Sequence, residues 1–332
     1  MNTQYTYRNS LPWYDDRVKM VNCGTRSIRN NMDGGSYDTP KKIYEYLDGR
    51  VWKQDAAKRA AAILTYNCLF RSVKENAMFI GPTGCGKTHI WRCLQELFPD
   101  KIEIVDGSNL TCDGWKGEKK WATLLQSPIF CSGERTILVI DEADKMLAPK
   151  YSHSENVSQS IAGEGLKMLE GTIVDVKSGS ATYQVDTSMI SFLLCGAFSH
   201  KADEIAKNSN TGHSIGFGAT PNATKAYDRP LTTQSLIEYG VMPEFMGRIQ
   251  RIVNLQPMTL EDYYKIMSSG CSPVRHIQDQ YGLKIQMTKR RQKELAEQAF
   301  QNGLGIRGME SRIRELVDDS LFDDCNRRYL EL

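Results

Sequence analysis

The chain has 332 residues, with 42 Lys and Arg against 40 Asp and Glu. That length allows one large α/β domain plus a smaller one, and nothing in the balanced charge asks for nucleic acid or an anionic membrane as a partner. Nine cysteines without a Cys-x-x-Cys pair suit buried thiols in a reducing compartment rather than a disulfide framework or a zinc site.

Residues 1–38 are polar, rich in Asn, Asp, Arg and Gly, and end near the linker-like Gly34-Gly35-Ser36. They read as a weakly ordered extension. MNTQYTYRNS has no apolar centre for a signal peptide, and no later stretch suffices to span a bilayer, so the expected location is the cytoplasm. Pro40 opens a helical pattern through Ile43 and Leu47. A second helix from Gln54 puts Ala60, Ile63, Leu64 and Cys68 on one face.

The apolar run Ala77–Ile80 then leads directly into Gly81-Pro82-Thr83-Gly84-Cys85-Gly86-Lys87-Thr88, and a helix-compatible stretch from His89 to Phe98 follows. Strand, glycine-rich loop and helix in this order make a phosphate cradle. The glycines let successive N–H groups face one anion, and the helix N-terminus adds its dipole. Lys87 is placed to reach the β- and γ-phosphates, and Thr88 to offer its hydroxyl to Mg²⁺. Cys85 reads as a small residue filling a tolerant loop position, although a lysine and a helix start beside it could also activate a thiol.

Downstream, Thr136–Ile140 is a β-branched apolar run ending in Asp141-Glu142. An Asp at the end of such a strand can hold Mg²⁺ while the adjacent Glu polarises the attacking water. The reaction class is ATP or GTP hydrolysis. Runs at 77–80, 102–105, 136–140, 189–194 and 252–255, alternating with helices, predict a mostly parallel, doubly wound α/β sheet. After Pro257 the pattern turns to helices at 260–269, 272–281, 289–300 and 308–330, with one short strand at 284–287. The expected division is a large α/β domain at 39–256 and a small helical lid at 257–332.

These stretches, in order, carry a resemblance to the ClpX family of AAA+ unfoldases across roughly residues 38 to 322. They are LDGRVWKQDAAK, IGPTGCGKT, DGWKGE, VIDEADK, LKMLEGTIVDV, YQVDTSMI, TGHSIGFGAT, YGVMPEFMGRI and GIRGME. The resemblance implies an AAA+ fold with a five-stranded parallel sheet and a helical lid, and ATP with Mg²⁺ as ligands. It further implies a homo-hexameric ring that unfolds protein substrates through a central pore and feeds a ClpP-type peptidase. It places Val51 and Trp52 at the adenine pocket, with Lys53 where the family usually has Gly. Arg248 aligns with the finger that reaches the neighbouring subunit's γ-phosphate, and Arg307 with the lid arginine on its own nucleotide.

Gly114-Trp115-Lys116-Gly117 matches the substrate-gripping pore loop, a glycine-hinged aromatic paddle. Ile215-Gly216-Phe217, apolar within a polar loop, matches the peptidase-docking loop.

The pattern also departs from the family. No zinc-binding segment precedes the cradle, the insertion at Lys177–Ser180 is short, Pro149–Ile161 keeps little of the second pore loop, and the chain stops before the lid's last expected strand. Two further readings stay open: a stand-alone protein remodeller without a peptidase, and a nucleic-acid motor, for which Lys116 is the single basic pore feature.

Overall fold

Apolar runs flanked by glycine and acidic residues settle into a five-stranded parallel sheet in the computed structural model of this chain. The structure describes residues 37–108, 110–111, 120–149, 151–152, 155–178, 181–209, 227, 229–269, 272–303 and 305–332. The N-terminal extension, the paddle Gly114–Gly117 and the loop Ile215–Phe217 therefore lie outside the described residues.

The sheet is entered through two helices. In α1 (Pro40–Asp48), Thr39 caps the N-terminus by accepting from the Lys42 amide, and Pro40 occupies the first turn, where its missing N–H costs nothing. Helix α2 (Asp55–Arg71) buries Ala57, Ala60, Ala61, Ala62, Leu64, Thr65 and Cys68. That is broader than the single face read from the sequence, because its alanines let neighbours approach from several sides. Lys58 is buried where the two helices meet and is paired with Asp48 at 2.5 Å and Asp55 at 2.9 Å.

Strand β1 (Ala77–Ile80) is buried at all four positions and leads through the glycine loop into α3 (Lys87–Leu97). Strands β2 (Ile102–Asp106) and β3 (Thr136–Asp141) follow, with the short helix α4 (Trp121–Leu124) between them and α5 (Ala143–Leu147) after. Two-residue strands β4 (Tyr151–Ser152) and β5 (Glu155–Asn156) precede α6 (Val157–Glu170). An antiparallel hairpin of β6 (Ile173–Ser178) and β7 (Ala181–Asp186) comes next, then β8 (Ile190–Gly196) and β9 (Arg251–Asn254). The five-strand order is β2-β3-β8-β1-β9, with β1 parallel to both β8 and β9.

Strands covered by helices on both faces must be apolar throughout, and Ile137, Leu138, Val139, Phe192, Leu193 and Leu194 are fully buried. Trp121 anchors α6 against this core by donating its indole N–H to the Ile161 carbonyl at 2.8 Å.

The C-terminal region is mainly helical, as expected, with helices Leu260–Ser268, Pro273–Tyr281, Lys289–Gln301 and Gly305–Asp323. Two expectations are corrected there. The last helix stops at Asp323 rather than 330, and Tyr329–Glu331 forms strand β11, parallel to β10 (Lys284–Gln286). Lys177 and Ser178, which the sequence pattern assigns to a short insertion, are the last residues of β6 and pair with Thr182 and Ala181 of β7. Among the described cysteines, Cys68, Cys85, Cys93 and Cys195 are buried, but Cys131 and Cys325 are exposed. No described helix is long and apolar enough to cross a membrane.

Phe79 lies mid-strand in β1 and meets the Trp91 ring edge-to-face, centroids 5.1 Å apart. Phe79→Ala is expected to cost about 3–5 kcal/mol and to lower the urea midpoint without changing the slope. A loss below about 1 kcal/mol would contradict this packing.

Candidate nucleotide site

Parallel strands deliver their carboxyl ends to one edge of the sheet, and that edge collects the chemistry. Ile80 opens into the glycine loop, Asp141 ends β3, and Gly196 ends β8. In doubly wound sheets this edge is the usual ligand crevice.

Within the loop, Gly84 and Gly86 hold φ of +79° and +101°, conformations that side chains resist. Lys87 is buried, its ammonium donating to the Gly81 carbonyl at 2.6 Å and the Pro82 carbonyl at 2.9 Å. It is thus folded over the loop whose amides would cradle phosphate. Cys85 is buried too, and burial pushes its thiol pKa up, which removes the activated-thiol reading.

The two halves of the predicted site meet directly. Thr88 Oγ1 donates to Asp141 Oδ2 at 2.8 Å, so the hydroxyl and the carboxylate converge on one point. That oxygen pair fits a hard divalent cation, which takes oxygen ligands. Glu142 follows in a left-handed conformation with φ +56°, a strained state that tends to persist at functional positions. Its amide donates to Asp141 Oδ1, and its carboxylate accepts from Lys145 at 2.7 Å.

Val51 is buried, and its Cγ1 lies 4.0 Å from where a Cβ on Gly86 would stand. Trp52 and Val51 border a pocket of about 350 Å³ completed by Lys53, Lys58, Asp48, Asp55 and Asp262. The Trp52 indole N–H donates to Asp262 Oδ1 at 3.3 Å, which ties the ring to helix Leu260–Ser268. Lys53 adopts φ +57°, which explains why glycine suits this position, and its ammonium reaches Asp262 at 2.9 Å.

Sequence reasoning missed two polar anchors here. Asp262 accepts from Trp52, Lys53 and the Thr259 amide and hydroxyl. Burial raises its pKa, but the bonds from Thr259, Lys53 and Trp52 outweigh burial and hold it at about 2. Gln54, 5 % exposed, is the second anchor. Its amide donates to the Cys85 carbonyl at 3.1 Å and the Gln256 carbonyl at 2.7 Å, while its oxygen accepts from the Gln256 amide. One side chain therefore joins the phosphate loop to the segment preceding Pro257. The only cue in the sequence was the departure at Lys53 just before it.

The start of helix Gly305–Asp323 rests on the phosphate loop, since a Cβ on Gly84 would stand 3.1 Å from Gly305 Cα. Arg307 is exposed two residues further on. Arg248 is elsewhere: its carbonyl accepts from Asn76 at the start of β1, the end of the strand opposite the loop. The structure thus brings together the loop, Thr88, Asp141 and Glu142 with Val51 nearby, and keeps Arg248 apart from them.

Gly84→Ala puts a methyl group against backbone at a left-handed φ. A penalty of about 1–2 kcal/mol falls on the free folded protein and predicts a lowered urea midpoint. An unchanged midpoint would mean that the Gly84–Gly305 approach opens without cost.

Residues 73–252 match the AAA domain family (Cdc48 subfamily). The ATP-dependent Clp protease ATP-binding subunit ClpX of Treponema denticola is 29% identical over 90% of this chain and 80% of its own length. The protein of the same name from Porphyromonas gingivalis is 30% identical over 88% of this chain and 79% of its own. A loop that cradles phosphate beside a Thr–Asp oxygen pair is what such nucleotide-binding proteins require, and the match extends through both regions of the chain. The chain therefore belongs to the AAA ATPases, and within them to the ClpX family.

Proposed function

We propose that this ATPase is a protein unfoldase and translocase that works as a homo-hexameric ring and delivers polypeptides to a ClpP-type peptidase. The observation that carries the ring is the distance between Arg248 and its own phosphate loop. Asn76, which holds the Arg248 carbonyl at 3.1 Å, and Gly81 stand at opposite ends of β1. Five extended residues span about 16 Å, further than an arginine side chain reaches. An arginine so placed on an exposed edge suits a site in a neighbouring subunit, as arginine fingers do in other phosphoryl-transfer proteins.

Each residue then has a role. Backbone N–H groups of the loop from Thr83 to Thr88 hold phosphate oxygens, and Lys87 turns from the loop carbonyls to the β- and γ-phosphates of ATP. Thr88 and Asp141 would hold Mg²⁺, which when bound neutralises charge on the phosphate oxygens. Glu142 takes up a proton from the attacking water, and Arg248 of one subunit faces the γ-phosphate held by the next. Arg307, beside the Gly84–Gly305 contact, reports nucleotide to the region after Pro257, which we take as a lid domain at 257–332 hinged on the larger 39–256 domain. Val51 and Trp52 flank the base.

The mechanical parts rest on sequence. Trp115 between Gly114 and Gly117 supplies a paddle that presses on any polypeptide without reading its sequence, with Lys116 beside it. Ile215 and Phe217, around Gly216, would each contribute roughly 1.5–3 kcal/mol in a peptidase pocket, and several loops from one ring gain by avidity. The names of the ClpX relatives, which call them subunits of a Clp protease, support this partner.

One assay separates the functions. With ATP, a magnesium salt, a stable fluorescent protein carrying an unstructured tag, and ClpP from the same source, the wild-type protein should unfold and degrade the substrate. Trp115→Ala should keep ATP hydrolysis but lose most unfolding. The double variant Ile215→Ser, Phe217→Ser should keep unfolding and lose degradation. Unfolding at the wild-type rate by Trp115→Ala would remove the paddle, and unfolding without degradation by the wild-type protein would favour a stand-alone remodeller.

A further inference from the structure

Arg248 does not extend freely from the edge of the molecule. Its Nε donates to Glu170 Oε1 at 2.8 Å, and Nη2 donates to the same oxygen. Glu170 is the last residue of α6, and both side chains are 46% exposed. The pairing occupies the Nε–Nη2 side of the guanidinium, while Nη1 has no hydrogen-bond partner among the described residues. A carboxylate in that position fixes the plane of the group and leaves an outward edge for a second anion.

The platform beneath the pair is unusually well bonded. Asn76 is 2% exposed, and every polar atom of its carboxamide is used. Nδ2 donates to the carbonyls of Leu169 and Arg248, both at 3.1 Å, and Oδ1 accepts from the Phe192 amide at 3.1 Å. Its backbone exchanges two further bonds with Gln250. Lys74, two residues earlier, donates to the carbonyls of Met168 and Thr187. Residues 74–76 therefore fasten the last turn of α6 and the backbone of Arg248 to the same point of β1. An exposed ion pair by itself contributes little to stability. The bonded platform under this one points instead to orientation.

We propose that Glu170 is a positioning residue for Arg248, holding the guanidinium in the direction from which it meets the γ-phosphate of the neighbouring subunit, with Asn76 setting the position of the backbone below it. The inference rests on the in-trans reading of Arg248. A finger that must search rotamers before each turnover loses the advantage of preorganisation, and small misplacements of such groups cost large factors in rate. Glu170 acts through Arg248 and not on the nucleotide in this proposal, so its removal should lower kcat for ATP hydrolysis and spare KM. Glu170→Gln keeps an acceptor oxygen and should retain part of the rate.

The test is a double-mutant cycle on the full-length protein, with kcat and KM for ATP measured on wild type, Glu170→Ala, Glu170→Gln, Arg248→Ala and Glu170→Ala/Arg248→Ala, and assembly checked by sedimentation. Glu170→Ala is expected to lower kcat about tenfold or more with KM unchanged and rings intact, Glu170→Gln to fall between it and wild type, and the double variant to match Arg248→Ala. Interacting residues show that non-additivity, and independent ones do not. A full additional loss in the Arg248→Ala background, or a Glu170→Ala protein that no longer assembles, would make Glu170 a structural residue and overturn the proposal. So would an unchanged kcat in Glu170→Ala where Arg248→Ala is slow. If Arg248→Ala is itself as fast as wild type, the in-trans reading falls first and the positioning role falls with it.

Discussion

The catalytic architecture hangs on one short strand. β1 is four residues long and central enough to pair with β8 on one side and β9 on the other. At its carboxyl end it launches the phosphate loop. At its amino end the buried carboxamide of Asn76 holds the end of α6 and the carbonyl of Arg248. A buried amide with unsatisfied atoms would be costly, so the bonds that satisfy Asn76 also dictate where these elements sit. The strand thereby sets a fixed separation between the phosphate loop and the backbone of Arg248.

A second set of bonds joins the phosphate loop to the chain on either side of Pro257. Gln54 spans the loop and Gln256, and Asp262 gathers Trp52, Lys53 and Thr259. The first contact is amide to carbonyl and insensitive to pH. The second depends on a carboxylate whose folded pKa is depressed to about 2, so its contribution is complete above the ordinary carboxylate range and is lost as the pH falls towards 2. The Gly84–Gly305 approach adds a third link, made of backbone alone. All three lie close to the loop, so a phosphate entering there meets a surface already coupled to the C-terminal helices.

The sheet was legible in the sequence because strands buried on both faces must be continuous apolar runs, and Ala77–Ile80 and Thr136–Ile140 are unmistakable in that respect. The loop and Asp141-Glu142 were legible because phosphate and metal chemistry demands those residue types in that order. Gln54, Asn76, Glu170 and Asp262 were not, since each is an ordinary polar residue whose partners, apart from Thr259 beside Asp262, are 31 to 210 positions away. The final helix was drawn too long because Asp324–Arg328 is compatible with a helix on composition, and only pairing with β10 makes 329–331 a strand. The β6–β7 pairing was hidden because Lys177 and Ser178 read as part of an insertion rather than the end of a strand.

The central claim is that an active site is complete only between two subunits, and mixing tests it most directly. Arg248→Ala and Lys87→Ala proteins, each nearly inactive as an ATPase, would be combined in equal amounts, exchanged into common rings and assayed for hydrolysis. Random mixing gives an intact loop facing an intact arginine at about one interface in four of a closed ring. The account predicts that hydrolysis returns in the mixture well above the sum of the two parent proteins. Rings shown to contain both variants, yet no more active than their parents, would contradict it.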